Sequence, residues 1–75
     1  MKSKNVINII NKIVEAKSAN EIHGVTVDLF TASAIQALYN SLNEKNKESL
    51  EWRISKGSDE LISVAHLAFE KKAKL

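Results

Sequence analysis

Seventy-five residues carrying eleven basic and nine acidic side chains give a net charge of +2, with no cysteine, no proline and two glycines. A chain of this size makes one domain with a thin core, burying about 60% of the surface its unfolded form exposes. Without cysteine there are no disulfides, thiolate zinc sites or cysteine nucleophiles, and the nearly balanced charge lacks the basic excess of a dedicated nucleic-acid binder. The hydrophobic share of 44% is that of a globular protein rather than a disordered one. No apolar run approaches the roughly 18 residues of a membrane span. Asn5, Asn8 and Asn11 interrupt the N-terminal apolar stretch that a signal peptide keeps unbroken. The expectation is a cytoplasmic protein with no membrane attachment.

The first element is a helix from about Lys4 to Ala19, because Val6, Ile7, Ile10, Ile13, Val14 and Lys17 follow the three-four rhythm of one helix face. Isoleucine and valine are mediocre helix formers, so packing must hold this helix. Val6 to Ile10 also reads as a strand, but the continuation of the rhythm to Val14 decides for the helix. Ala19 to Thr26 is a connection with turn residues Asn20, Gly24 and Thr26, and Val25 and Val27 form a short extended stretch. Asp28 or Thr26 caps a second helix over about Leu29 to Asn43. Its buried face is Ile35, Leu38, Tyr39 and Leu42, with Ala32 and Ala34 permitting close approach and Leu29 and Phe30 anchoring its start.

Asn43 caps a third helix, about Glu44 to Lys56, with Leu50 and Ile54 on its inner side and Trp52 beside them. Gly57 fits the left-handed position that ends a helix, and Ser58 then caps the fourth. Asp59 and Glu60 fall in that helix's first turn, and Lys71, Lys72 and Lys74 at its end, each where the helix dipole favours its charge. Leu61, Ile62, Ala65, Ala68 and Phe69 are its expected core face. The whole reads as an all-α, small three- to four-helix domain with short connections, residues 1–75 forming a single helical domain.

No constellation in this chain carries catalysis. Gly24 and Gly57 are far apart and neither belongs to a phosphate-cradling loop, so P-loop and Rossmann chemistry are excluded. His23 and His66 are the only histidines, too few to build a metal site without convergent carboxylates, and they read as a loop and a helix-surface residue. Ser63, His66 and Glu70 share a helix face, but nothing suggests the oxyanion hole and cleft that a nucleophilic triad requires. No metal, cofactor or catalytic residue is expected. A helix-turn-helix about Gly57 would present Asp59 and Glu60 to a polyanion, which repels it.

Two surface features remain. Lys45, Lys47, Arg53 and Lys56, together with Lys71, Lys72 and Lys74, are candidate nucleic-acid contacts. Glu44, Glu48 and Glu51 interleave with the first four, so a solvated face laced with ion pairs is the favoured reading of them. Trp52, flanked by Arg53 and Lys56, is either a half-exposed interface anchor or the lid of a thin core.

From Gly24 to Phe69 the run Val25-Thr26-Val27-Asp28-Leu29-Phe30-Thr31-Ala32-Ser33-Ala34-Ile35, then Tyr39, Leu42-Asn43, Asn46-Lys47, Ala65 and Ala68-Phe69, resembles a small helical module of T4-like bacteriophage proteins. Within that group it is similar to the short protein encoded beside the UvsW recombination helicase. The resemblance implies a helicase-associated accessory protein in DNA recombination or repair, present in the host bacterial cytoplasm. It implies no helicase activity in this chain and transfers no catalytic residue. Three functions follow as expectations. The first is a protein-interaction module whose partner is a DNA-processing enzyme, contacted through Trp52, Arg53 and Lys56. The second is weak, sequence-independent nucleic-acid binding through the lysines. The third is a homodimer formed on surplus apolar surface of the first helix, so that the chain is a monomer or a weak homodimer.

Overall fold

The computed structural model describes the backbone of residues 5–73 and side chains from 6 to 71. The described elements are α1 (Asn5–Ala16), β1 (Asn20–Ile22), β2 (Val25–Val27), α2 (Leu29–Asn40), α3 (Glu44–Ser55) and α4 (Ser58–Ala73). The mostly helical architecture agrees with the sequence pattern. The extended stretch at Val25–Val27 finds an antiparallel partner in β1, pairing Glu21 with Thr26 and Ile22 with Val25. The expected start of α1 at Lys4 lies outside the described residues.

Side-chain caps set two of the helix starts. Asp28 sits in extended backbone and its carboxylate accepts from the Thr31 N–H at 2.8 Å, while Asn43 does the same for the Asn46 N–H at 2.9 Å. Each satisfies one of the four N–H groups that a helix start leaves unpaired. Asp28, not Thr26, is therefore the cap of α2, and that helix ends at Asn40 rather than running to Asn43. There the Ser41 hydroxyl donates to the Leu38 carbonyl at 2.7 Å.

Two other boundaries differ from expectation. Helix α1 ends at Ala16, not Ala19, and Lys17 turns to a φ of 56°. The Ser18 N–H then reaches back to the Ile13 carbonyl at 3.3 Å, the six-to-one bond of a Schellman ending with lysine where glycine is usual. Lys17 is exposed and takes no place in the apolar face. Conversely, Gly57 is not left-handed: positive φ in the described chain is confined to Lys17, His23 and Gly24. The Gly57 carbonyl accepts from Leu61 N–H at 3.2 Å, so Ser58 is the first residue of α4 rather than its cap. The chain bends between α3 and α4 without a left-handed residue, Lys56 keeping right-handed helical angles.

The hairpin turn is the two-residue loop His23-Gly24, both with positive φ (54° and 77°), the mirror-image turn whose twist matches paired strands. His23 is an unusual first turn residue. Its Nε2 bonds the Ile54 carbonyl at 2.9 Å, and since a carbonyl only accepts, Nε2 carries the proton. That bond spans 31 residues and ties the hairpin tip to α3.

Every helix contributes a completely buried branched side chain to the centre, Ile10, Ile35, Ile54 and Val64 among them. Around them lie Val6, Ile7, Ile13, Ile22, Val27, Ala32, Ala34, Leu38, Leu50, Leu61 and Ala68. The apolar face of α1 is thus consumed by the core. On α4 the buried stripe is Leu61, Val64 and Ala68, so the expected face was displaced: Ile62 and Phe69 are 43% and 42% exposed. Helices α2 and α4 pack against one another, and their small side chains Ala32, Ala34 and Ala68 suit a close approach that leaves no room for a phenyl ring. Phe30, expected to anchor α2, is 73% exposed in the helix's first turn, although Ala34 one turn on is buried.

Lysine at Lys17 pays a Cβ penalty that glycine avoids, so Lys17→Gly should raise stability by about 0.5–1 kcal/mol. A urea unfolding midpoint that stays put or falls would show that the left-handed α1 ending is not strained.

Candidate interaction surface

Helix α3 has two sides. Leu50, Glu51 and Ile54 are buried, while Lys45, Ser49, Trp52 and Lys56 recur at spacings of four, three and four on the opposite side. Trp52 is 56% exposed and stands on the outer face of α3. The Lys56 ammonium lies 3.8 Å from the centroid of its ring, within cation–π range. Arg53, on the flank of this face, places Nη2 3.3 Å from Glu60 Oε1 on α4. Lys45 is exposed in the first turn.

The remaining candidate cations go elsewhere. Lys47 is on the inner side of α3, its Nζ 5.4 Å from the Tyr39 ring centroid and 3.8 Å from Glu44 Oε1. Lys71 is exposed near the other end of α4 from the Arg53–Glu60 pair. The Lys72 side chain and all of Lys74 lie outside the described residues. The structure therefore gathers Lys45, Trp52, Arg53 and Lys56, and separates them from Lys47 and Lys71.

Glu51 is a correction to the interleaved-charge reading: it is 2% exposed and belongs to the core. The Tyr39 hydroxyl donates to its Oε2, and its Oε1 has no hydrogen-bond partner. The legible signal was position, since Glu51 falls between Leu50 and Ile54 on the helical stripe. Its acidity disguised it, because a carboxylate is rarely buried without a partner. The hydrogen bond to Glu51, then burial and the Glu51 charge, push the Tyr39 hydroxyl up from 10.0 to about 12.

A second surface is an open groove of about 390 Å³ between β2 and α4, with Val25, Ile62, Ala65 and Phe69 among its walls and His66 and Glu70 along one side. Ser63, His66 and Glu70 share a face of α4 and no hydrogen bond joins them. His23 is committed to the Ile54 carbonyl. Among the described residues no three histidine, aspartate or glutamate side chains converge on a metal position. No described helix is long and apolar enough to cross a membrane.

Comparison with protein-family models, with curated proteins and with solved structures finds no match to this chain.

Because the folded state favours protonated Tyr39, its stabilisation is fully present below pH 10 and is lost as pH rises through about 12. Tyrosinate absorbance of this single tyrosine should accordingly rise near pH 12 in the folded protein; a midpoint at 10 would refute the bond to Glu51. Tyr39→Phe leaves both Glu51 oxygens unpaired and should cost about 1–3 kcal/mol.

Proposed function

We propose that this chain is a non-catalytic protein-interaction module, an accessory to a DNA-processing enzyme of the recombination or repair helicase type. The observation that supports it is Trp52, exposed at the middle of the outer face of α3 with a cation over its ring. Tryptophan and arginine are the side chains that most often carry binding energy at protein interfaces, where their area is desolvated at one stroke. Leaving an indole more than half exposed gains nothing for a monomer, whereas a partner that covers it recovers that apolar area.

The neighbouring charges favour a protein over a polyanion. Arg53 already faces a carboxylate and Lys56 an indole, so a phosphate would compete with contacts already made. The helicase connection, and the infected bacterial cytoplasm as its setting, come from the resemblance to the T4-like phage module alone. Direct, sequence-independent nucleic-acid binding is the second reading, favoured by the alignment of Lys45, Trp52 and Lys56 on one face: an aromatic platform between two cations suits a single strand.

Fluorescence anisotropy of the labelled chain separates the two readings. Titrated with the recombination helicase of a T4-like phage, the chain should bind, and Trp52→Ala should weaken binding by more than about tenfold with little dependence on salt. Single-stranded and duplex DNA should give no saturable change. Saturable DNA binding that falls about fortyfold between about 50 and 200 mM salt, as three phosphate contacts require, would replace the module reading with the nucleic-acid one. Helicase binding indifferent to Trp52→Ala would remove the α3 face from the proposal.

A further inference from the structure

The two-stranded sheet leaves one edge of β2 open beside an apolar wall. Ile22 and Val25 flank a two-residue turn, so they must exchange the paired hydrogen bonds that close such a hairpin. Asn20 and Val27 repeat that arrangement one step further along. Glu21 and Thr26, between them, form the pair without mutual bonds, and the N–H and C=O of Thr26 are therefore directed away from β1. No other backbone hydrogen bond engages Thr26.

That outward edge is where the groove lies. All three β2 residues line it, β1 contributes nothing, and the facing wall is α4 with Ile62, Ala65 and Phe69. An unpaired donor and acceptor side by side, facing an apolar trough, is the arrangement that receives an extended peptide as an added strand. One peptide residue opposite Thr26 would take both of its bonds, and an apolar side chain nearby would fill the trough.

Charge selects the occupant. Glu70 is in the wall. Asp28 directly follows β2, and the Thr31 backbone N–H lowers the pKa of its carboxyl. Glu21 is the cross-strand neighbour of Thr26. Of these three acids only Glu70 is in the lining itself, where His66 is the one basic side chain. A second copy docking edge to edge about Thr26 would present the same acid-bordered edge and no lysine or arginine from the lining to answer it, a poorer electrostatic match than a basic peptide. We propose that the groove between β2 and α4 binds an extended apolar segment of a partner protein, flanked by lysine or arginine, which adds as a strand to β2 at Thr26. This site lies on the opposite flank of α4 from α3 and does not rest on the Trp52 reading.

The probe is a capped heptapeptide alternating valine and threonine with lysine at both ends, titrated into the amide-labelled full chain. Saturable shifts should appear at Thr26, Ile62 and Phe69 and spare α3. The same peptide ending in glutamates should bind about tenfold more weakly, the scale that two or three exposed ion pairs reach. Thr26→Pro removes the outward N–H while sparing the β1–β2 bonds and should abolish binding. Phe69→Ala, at an exposed position, should weaken binding with the fold intact, so that loss in both variants supports the site. No saturable shift up to about 1 mM peptide, the weak end of peptide recognition, would overturn the proposal. Equal affinity for the two peptides, or shifts confined to α3, would do the same. Concentration-dependent movement of the Thr26 amide in the protein alone would assign the groove to a second copy and likewise overturn it.

Discussion

The structure depends on how α4 is laid against the other helices. Its buried stripe is Leu61, Val64 and Ala68, a narrow line of moderate and small side chains. A domain of this size holds about 5–10 kcal/mol of net stability, and each fully buried Val, Leu or Ile is worth about 1.5–3 kcal/mol. Ile10, Ile35, Ile54 and Val64, one from each helix, are therefore enough to decide whether the fold exists. Once that stripe faces inward, the rotation of α4 is fixed. Ile62 and Phe69 are then carried to one flank, and Glu60, two residues before Ile62 and so about 200° around the helix, to the flank where it meets Arg53. The apolar groove and the α3 contact are consequences of the same packing.

Within so small a margin, the chain tolerates three local costs. Lys17 and His23 hold left-handed backbone that glycine would occupy freely, and Glu51 carries an unpaired oxygen into the core. The second is offset directly, by the bond from His23 to the Ile54 carbonyl, which also anchors the hairpin against a helix distant in sequence. That anchor is what gives β2 a fixed place beside α4, since a two-stranded hairpin is marginal by itself. The third is offset in part, because Tyr39 satisfies one carboxylate oxygen. Joining α2 to α3 through a polar contact fixes their mutual register more narrowly than aliphatic contact does.

Local chemistry was legible in the sequence and relative rotation was not. Asp28 and Asn43 could be read as caps because a cap is settled within four residues, and the buried aliphatic residues of α1 and α3 follow from periodicity, whereas Glu51 and the exposed Phe30 do not. On α4 the apolar residues are spread over so wide an arc that Leu61, Ile62, Ala65, Ala68 and Phe69 make as good a stripe as Leu61, Val64 and Ala68. Size misled the choice: the larger residues looked like core, yet the close α2–α4 approach selects the smaller ones. The hairpin was half visible, since Val25 and Val27 alternate, but Asn20-Glu21-Ile22 has too little β character to announce a partner. Of the candidate site, Trp52 with Arg53 and Lys56 could be named in advance; the groove could not, because its walls come from β2 and from the flank of α4 that the periodicity assigned to the core.

The two surfaces differ in charge as well as position. The α3 face carries Lys45, Arg53 and Lys56 around an indole, whereas the groove has Glu70 in its apolar wall, with Asp28 and Glu21 next to β2 outside it. The net charge of +2 therefore describes neither. A polyanion meeting this chain would be attracted to one side and repelled from the other, which suits a protein that touches one partner at each side better than one wrapped by nucleic acid. An all-helical chain without the hairpin would have only the first of these surfaces. The short strand pair, the least helical part of the sequence, is what gives α4 a second side to use.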